Sequence, residues 1–201
     1  AKDSALFVDW ASGWTDYVVG QDAAASWQTP EKALGAAVGD SYDIVSLGNG
    51  GSITLTFDQP IMDGSGYDFA VFENSFSNTF LELAWVEVSS NGSDFFRFDN
   101  YSYTPSAVGA FGSVDPTNIH GLAGKYRQGF GTGFDLAELV GGICRCVFVR
   151  LLLLVCTCLL CELAVFLRTL CQRDECTSAG QCNDTLCAQR PPRRTRSQQY
   201  A

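Results

Sequence analysis

The sequence predicts an all-β fold for residues 1–143, an antiparallel β-sandwich or jelly roll, followed by an atypical Cys-, Leu- and Arg-rich segment over residues 144–201. Three observations favour this fold class: a run of alternating polar and apolar residues, a hairpin pattern around an Asn-Gly turn, and a scarcity of helical periodicity. The chain also contains 20 Gly, 14 Phe, 4 Trp and 7 Tyr. This composition is unlike that of a coiled coil or a simple helical bundle.

The first predicted strand is SITLTF at residues 52–57, where apolar side chains recur at every second position. This period places the apolar side chains on one face of a strand and the polar ones on the other. Asn49, Gly50 and Gly51 precede the run and tolerate the positive φ of a tight turn. We expect Pro60 to end the strand, because proline has no N–H to donate to a β-ladder.

Further strands are predicted at residues 67–72 (YDFAVF) and 80–89 (FLELAWVEVS). The second of these is followed by Ser-Asn-Gly-Ser and then by the apolar residues 95–98 (FFRF), a pattern that predicts a β-hairpin. Short helical turns are expected within residues 30–37, where Pro30 occupies the first position. A second helical turn is expected after Asp135, whose side chain is a suitable N-cap.

The composition changes abruptly after residue 143. Residues 1–143 contain 18 acidic residues, 5 basic residues and no cysteine, whereas residues 144–201 contain 4 acidic residues, 8 basic residues and all nine cysteines. The single C-x-x-C pair, Cys158 and Cys161, lacks the second half-site that a zinc centre normally needs. We therefore interpret residues 1–143 as the sandwich domain and residues 144–201 as a separate segment.

The separate segment includes an apolar run of 17 residues, LLLLVCTCLLCELAVFL, from Leu151 to Leu167, in which Glu162 is the only charge. Because a transmembrane helix needs about 20 apolar residues, membrane contact through this run is a marginal interpretation. A buried strand or helix is the simpler one. Residues 144–201 are also typical of a poorly folded tail, or of a coding sequence read out of frame, and these alternatives stay open.

Several runs carry a family resemblance over roughly residues 30–140: VSLGNGGSITLTFDQPI (45–61), YDFAVFENSF (67–76), FLELAWVEVSSNGSDFFRF (80–98), VDPTNIHGLAGKY (114–126) and GTGFDLAEL (131–139). Together they resemble a group of bacterial secreted or cell-surface proteins of unestablished function. The resemblance implies an extracellular β-sandwich. The chain begins at Ala1 rather than Met, so we expect a mature product or a fragment.

Oxygen-bearing side chains gather around the predicted strand 67–72 and suggest a calcium site. Asp63 and Asp68 flank a Gly-rich loop, and Glu73 and Asn74 directly follow the strand. Calcium takes six to eight oxygen ligands from carboxylates, amides and carbonyls. These four residues are the candidate metal ligands, and Asp135 is a further one unless it serves only as a helix cap.

Carbohydrate binding is the second functional hypothesis, because aromatic side chains stack on the faces of sugar rings. Trp10, Trp14 and Trp27 lie among polar residues near the N-terminus, and Phe76 borders the polar loop 77–79. These four are the candidate ligand-binding residues, with an extracellular glycan or surface polymer as partner. The alternative is that most of them belong to a Phe-rich core.

The sequence favours a non-enzymatic function. It contains neither a G-x-S-x-G elbow, nor H-E-x-x-H, nor a phosphate-binding loop, and His120 is its only histidine. The net charge of −9 argues against a nucleic-acid partner. We therefore expect an extracellular or cell-surface binding or adhesion module that binds calcium or carbohydrate. The alternative is a small carboxylate-dependent carbohydrate-active enzyme.

Overall fold

A computed structural model describes residues 1–109, 112–139, 145–153 and 166–169 of the chain. In this part of the chain, helical structure is limited to short 3-10 turns at Ala25–Trp27, Pro30–Ala33, Pro116–Asn118 and Leu136–Glu138. The strands are β1 (Asp9–Trp10), β2 (Gly13–Val18), β3 (Ser52–Met62), β4 (Phe69–Phe72), β5 (Ala84–Ser89), β6 (Phe96–Arg97), β7 (Tyr101–Ser102), β8 (Ile119–His120), β9 (Gly131–Phe134), β10 (Arg145–Leu153) and β11 (Phe166–Thr169).

The strands form antiparallel sheets, which confirms the predicted all-β class. A five-stranded sheet has the order β2-β3-β10-β5-β6, and a four-stranded sheet has the order β1-β11-β4-β9. Strands β7 and β8 form a separate two-stranded ladder. Alternate residues of each strand point to opposite sides of its sheet, so one side of each sheet is available for a core.

One hydrophobic core contains side chains from both large sheets. The stacked pair Phe69 and Phe134, with ring centroids 5.3 Å apart, belongs to the four-stranded sheet, and Phe98 lies against both rings. The five-stranded sheet contributes the buried apolar residues of β3, β5 and β10 to the same cluster: Ile53, Leu55, Phe57, Ile61, Ala84, Val86, Val88, Val149 and Leu151.

Strand β3 is longer than its sequence pattern predicts. The alternation at residues 52–57 is present, with Ile53, Leu55 and Phe57 buried, but the strand continues through Pro60 to Met62. The prediction that Pro60 ends the strand is wrong. The pairing of β3 with β10 shifts register between Cys146, which pairs with Ile61, and Phe148, which pairs with Thr56. Pro60 lies between these two pairs, in the irregular part of the ladder. A proline is tolerated at a bulge, because no ladder hydrogen bond is required there.

The predicted hairpin is confirmed. Strand β5 pairs with β6 through Glu87 opposite Arg97 and Val88 opposite Phe96. In the loop, Gly92 has a φ of +75°, which favours glycine over any residue with a Cβ. The predicted helical turns are also present, each as a 3-10 turn: Pro30 begins one, and the Asp135 carboxylate caps the other by accepting a hydrogen bond of 2.9 Å from the Ala137 N–H.

Strand β10 lies beyond residue 143, yet it occupies the centre of the five-stranded sheet, between β3 and β5. On its outer face, the Arg150 guanidinium lies 3.5 Å from the centre of the Phe95 ring and 3.7 Å from the Glu87 carboxylate. Arg97 completes the row with a 2.7 Å ion pair to Glu87. Residues of the predicted separate segment therefore contribute both to the core and to the outer face of the sheet.

The apolar run that begins at Leu151 is partly described. Its first three residues belong to β10, and Phe166 and Leu167 belong to β11, which pairs with β4. Within the described residues, no helix combines the length and hydropathy needed to cross a bilayer. The C-x-x-C pair, Cys158 and Cys161, and residues 170–201 lie outside the described residues.

Candidate functional site

Three aspartates converge where the β3–β4 loop meets the end of β9. One carboxylate oxygen from each of Asp63, Asp68 and Asp135 lies within 4.8 Å of those of the other two. The register of the sheet explains the meeting: Phe69 of β4 pairs with Phe134 of β9, and the strands are antiparallel. The residue before Phe69 therefore lies beside the residue after Phe134, and Asp68 N–H donates a 2.8 Å hydrogen bond to the Phe134 carbonyl. We call this group the aspartate cluster.

Asp68 is the buried member of the aspartate cluster, with 1% of its surface exposed. Its Oδ1 accepts a 2.7 Å hydrogen bond from the Gly64 N–H, and its Oδ2 accepts one of 2.7 Å from the Leu136 N–H. Burial raises the pKa of Asp68 to about 6, the negative charges of Asp135 and Asp63 add to the rise, and the two backbone donors oppose it. The folded protein thus holds crowded negative charge at this point.

The aspartate cluster has the donor chemistry of a site for a hard divalent cation. Each carboxylate oxygen has two lone pairs, so the backbone hydrogen bonds to Asp68 leave one on each oxygen for an ion. The Asp135 cap uses Oδ1 as acceptor for the Ala137 N–H. An all-oxygen donor set suits calcium or magnesium rather than zinc, and a loop that supplies carbonyls and carboxylates is typical of calcium.

The other two predicted metal ligands, Glu73 and Asn74, lie at the opposite end of β4. Asp68 precedes Phe69 and Glu73 follows Phe72, so the whole strand separates the two carboxylates. At about 3.3 Å per residue, this places their Cα atoms roughly 16 Å apart. The structure thus divides the four predicted ligands: Asp63 and Asp68 join Asp135, whereas Glu73 lies in a second group at the other end of β4, next to Asn74.

The second group is a buried pair of glutamates, Glu73 and Glu82, which are 2% and 4% exposed. The two carboxyls share a hydrogen bond, and the backbone N–H groups of Ser75 and Asn74 donate to Glu73. Burial first, and then the charge of Glu82, raises the pKa of Glu73 well above its usual value. A hydrogen bond between two carboxyls requires a proton on one of them, so this contact and the burial of the pair both favour its protonated form.

Gly124 allows its own segment to pack closely against the backbone of Glu82. It has a φ of +80°, and a Cβ at this position would collide with the Glu82 carbonyl oxygen. The bridge between Ala84 and Ala123 brings these two segments together. The close approach therefore requires glycine both for its conformation and for the space.

The four predicted ligand-binding aromatics do not form one surface. Trp10 is half-buried and packs on Phe72, and Trp27 is half-buried in the same small cluster. Trp14 is partly exposed on β2, an edge strand, and Phe76 is exposed and stacked on Phe80 with ring centroids 4.6 Å apart. Trp10 and Trp27 are thus partly covered by packing, whereas Trp14 and Phe76 remain accessible.

Sequence reasoning missed an aromatic group in which the exposed Tyr101 and Tyr103 lie against the half-buried His120, which we call the tyrosine–histidine patch. It arises because Tyr101 of β7 pairs with His120 of β8. The two residues are far apart in the sequence, so only the alternation of Tyr101 and Tyr103 could have suggested that these two share a face.

The described residues thus contain three candidate groups at different places in the fold: the aspartate cluster, the buried glutamate pair and the tyrosine–histidine patch. Comparison with known proteins adds no assignment to this geometry. No protein-family model matches the chain, and no curated protein matches its sequence.

Proposed function

We propose that this chain is an extracellular β-sandwich binding module in which a calcium ion ties the β3–β4 loop to the end of β9. The observation that carries the proposal is the convergence of Asp63, Asp68 and Asp135 within 4.8 Å. The sandwich architecture is supported by the core that contains side chains of both large sheets. The extracellular location is supported by the resemblance of residues 30–140 to bacterial secreted and cell-surface proteins.

The electrostatics of the aspartate cluster favour a cation. Three carboxylates that crowd together repel one another, and part of that repulsion is expressed in the raised pKa of Asp68. A divalent ion replaces repulsion with attraction and displaces the proton from Asp68. Calcium affinity is therefore expected to rise with pH through about 6, where Asp68 ionises.

Calcium is expected to raise the midpoint of thermal unfolding. An ion that binds only the folded state at 100 times its Kd adds about 2.7 kcal/mol to the free energy of unfolding. Asp135→Asn should abolish the shift: it removes one charged ligand, whereas asparagine still serves as a helix cap. The measurement is thermal melting in EDTA and at increasing calcium, at pH 5 and pH 7.5.

A matched control is available at Asp115, which caps the 3-10 turn Pro116–Asn118 by accepting a hydrogen bond from the Thr117 N–H. Asp115→Asn also exchanges a capping aspartate for asparagine, but outside the aspartate cluster, and should leave the calcium shift intact. The same midpoint in EDTA and in millimolar calcium would contradict the proposal. An equal shift in Asp135→Asn and the parent would place the ion elsewhere.

The carboxylate geometry favours this binding role over glycoside hydrolysis. Hydrolases hold two accessible carboxyls about 5–10 Å apart, with the sugar between them. The two acidic groups considered above depart from this arrangement: the Glu73–Glu82 pair is buried and directly hydrogen-bonded, and the oxygens of the aspartate cluster lie within 4.8 Å of one another.

A further inference from the structure

The β7–β8 ladder has a buried side and an aromatic side. Ile119 of β8 is fully buried and packs with Leu81, Val114 and Leu122. Its neighbour His120 points the other way, because successive residues of a strand alternate, and so does Tyr101, the cross-strand partner of His120. The buried side anchors the ladder on the domain, and the aromatic side faces solvent.

The rings of the tyrosine–histidine patch form two surfaces that meet at an angle. Tyr101 and His120 are stacked, with centroids 4.4 Å apart and ring planes 22° from parallel. The Tyr103 ring is inclined by 50° to Tyr101 and by 66° to His120, at centroid distances of 4.9 and 6.5 Å. Tyr101 is 46% exposed and Tyr103 is 69% exposed, so large parts of these rings are in contact with water.

The backbone around the patch is held by specific hydrogen bonds. Tyr103 N–H donates to the Asn118 carbonyl and extends the ladder by one residue. Asn100, which precedes β7, accepts a 3.1 Å hydrogen bond from the Trp85 indole N–H. The rings are thus presented on a fixed frame, which reduces the entropy lost when a ligand binds.

The chemistry and size of the patch indicate the class of ligand. The rings combine apolar faces with two phenol hydroxyls and an imidazole at their edges. Pyranose sugars match this pattern, because they present C–H groups on a face and hydroxyls around the rim. Three rings are too few for a stable protein interface, which needs about 800 Å² from each partner. The net charge of −9 disfavours an anionic polymer.

We propose that Tyr101, Tyr103 and His120 bind a pyranose unit of a neutral glycan, with Tyr103 as the principal stacking residue. This inference rests on the proposed role of the chain as a binding module, but it does not depend on calcium. It also differs from the predicted aromatic site, since none of Trp10, Trp14, Trp27 and Phe76 belongs to the patch.

The test is calorimetric titration of the full chain with cellohexaose, xylohexaose, mannohexaose and chitohexaose, with heparin as an anionic comparison. At least one neutral hexasaccharide should bind, Tyr103→Ala should weaken it at least tenfold, and Tyr103→Trp should retain it. Tyr42→Ala is the control: Tyr42 is a comparably exposed tyrosine (74%) that lies beside Trp27 rather than in the patch.

Three outcomes would overturn the inference: no binding of any neutral hexasaccharide at millimolar concentration, equal binding by Tyr103→Ala, or loss of binding in Tyr42→Ala alone. Thermal melting of each variant in EDTA checks that it is folded, and the calcium shift of the same samples tests the metal proposal separately. A normal calcium shift without glycan binding would reject the patch and leave the calcium site standing.

Discussion

A chain that ends at residue 143 is expected to lose cooperative folding, although all the glycine-rich sequence is retained. The truncation removes β10, which lies between β3 and β5 in the five-stranded sheet. It also removes Val149 and Leu151, both fully buried in the main core, and leaves two strands without their shared neighbour. Unpaired strand edges and a core without its central strand favour aggregation over folding.

The comparison chain ends at residue 169, which retains β10 and β11 and should unfold cooperatively. In the full chain, Leu151→Ala should lower the free energy of unfolding by about 2–5 kcal/mol. Leu6→Ala makes the same exchange at a side chain that is 70% exposed, and should change the free energy of unfolding by about 0.5 kcal/mol or less. Thermal and urea unfolding measure both effects. A cooperative transition in the chain that ends at residue 143 would show that β10 is dispensable.

The buried glutamate pair is expected to make the protein less stable as the pH rises. The pKa of Glu73 is raised in the folded state, chiefly by burial and then by the charge of Glu82. The contribution of the pair to stability is therefore complete below the ordinary pKa of a glutamate, 4.5, and is lost as the pH rises through the folded value. Within this window, the free energy of unfolding should fall by about 1.4 kcal/mol per pH unit for each proton that the folded chain binds in excess of the unfolded chain.

Glu82→Gln keeps the hydrogen bond to Glu73 but removes its dependence on a bound proton, because the glutamine amide N–H can donate to an ionised Glu73. Urea unfolding from pH 4 to pH 9 should show a shallower decline for this variant than for the parent. Asp68, whose pKa is raised to about 6, contributes to the decline in both chains and cancels in the comparison. Glu31→Gln removes an exposed glutamate and should follow the parent. Parallel profiles for parent and Glu82→Gln would exclude a contribution of the Glu82 carboxyl to the decline, because the burial of Glu73 is common to both chains.

Local sequence patterns were sufficient for features that depend on neighbouring residues. The alternation of residues 52–57 predicts a strand with one buried face, because side chains of successive residues point to opposite faces. The Asn-Gly turn predicts the β5–β6 hairpin, and Asp135 predicts a capped turn, since each involves hydrogen bonds or φ values within a few residues. The proximity of Asp63 and Asp68 belongs to the same class, since one short loop joins them.

Contacts between distant segments could not be read from local patterns. Pro60 was expected to end β3, but the register shift opposite β10 allows the strand to continue. Similarly, the abrupt change in composition after residue 143 gave no sign that Arg150 would lie against Glu87 on the outer face of the sheet. Pairing of distant strands depends on the complementarity of whole faces and on loop closure, and neither is encoded in a short window of sequence.

The sequence by itself determined the β-rich class, the turns, and the kinds of side chain available for binding: carboxylates and aromatic rings in a largely acidic chain. The tertiary structure decided which of them meet. Antiparallel register set Asp135 beside Asp68 and divided both from Glu73, which is hydrogen-bonded to Glu82. It also stacked His120 on Tyr101. The physical reason is that a site is defined by distances of a few ångströms between segments far apart in the chain, and strand register fixes those distances.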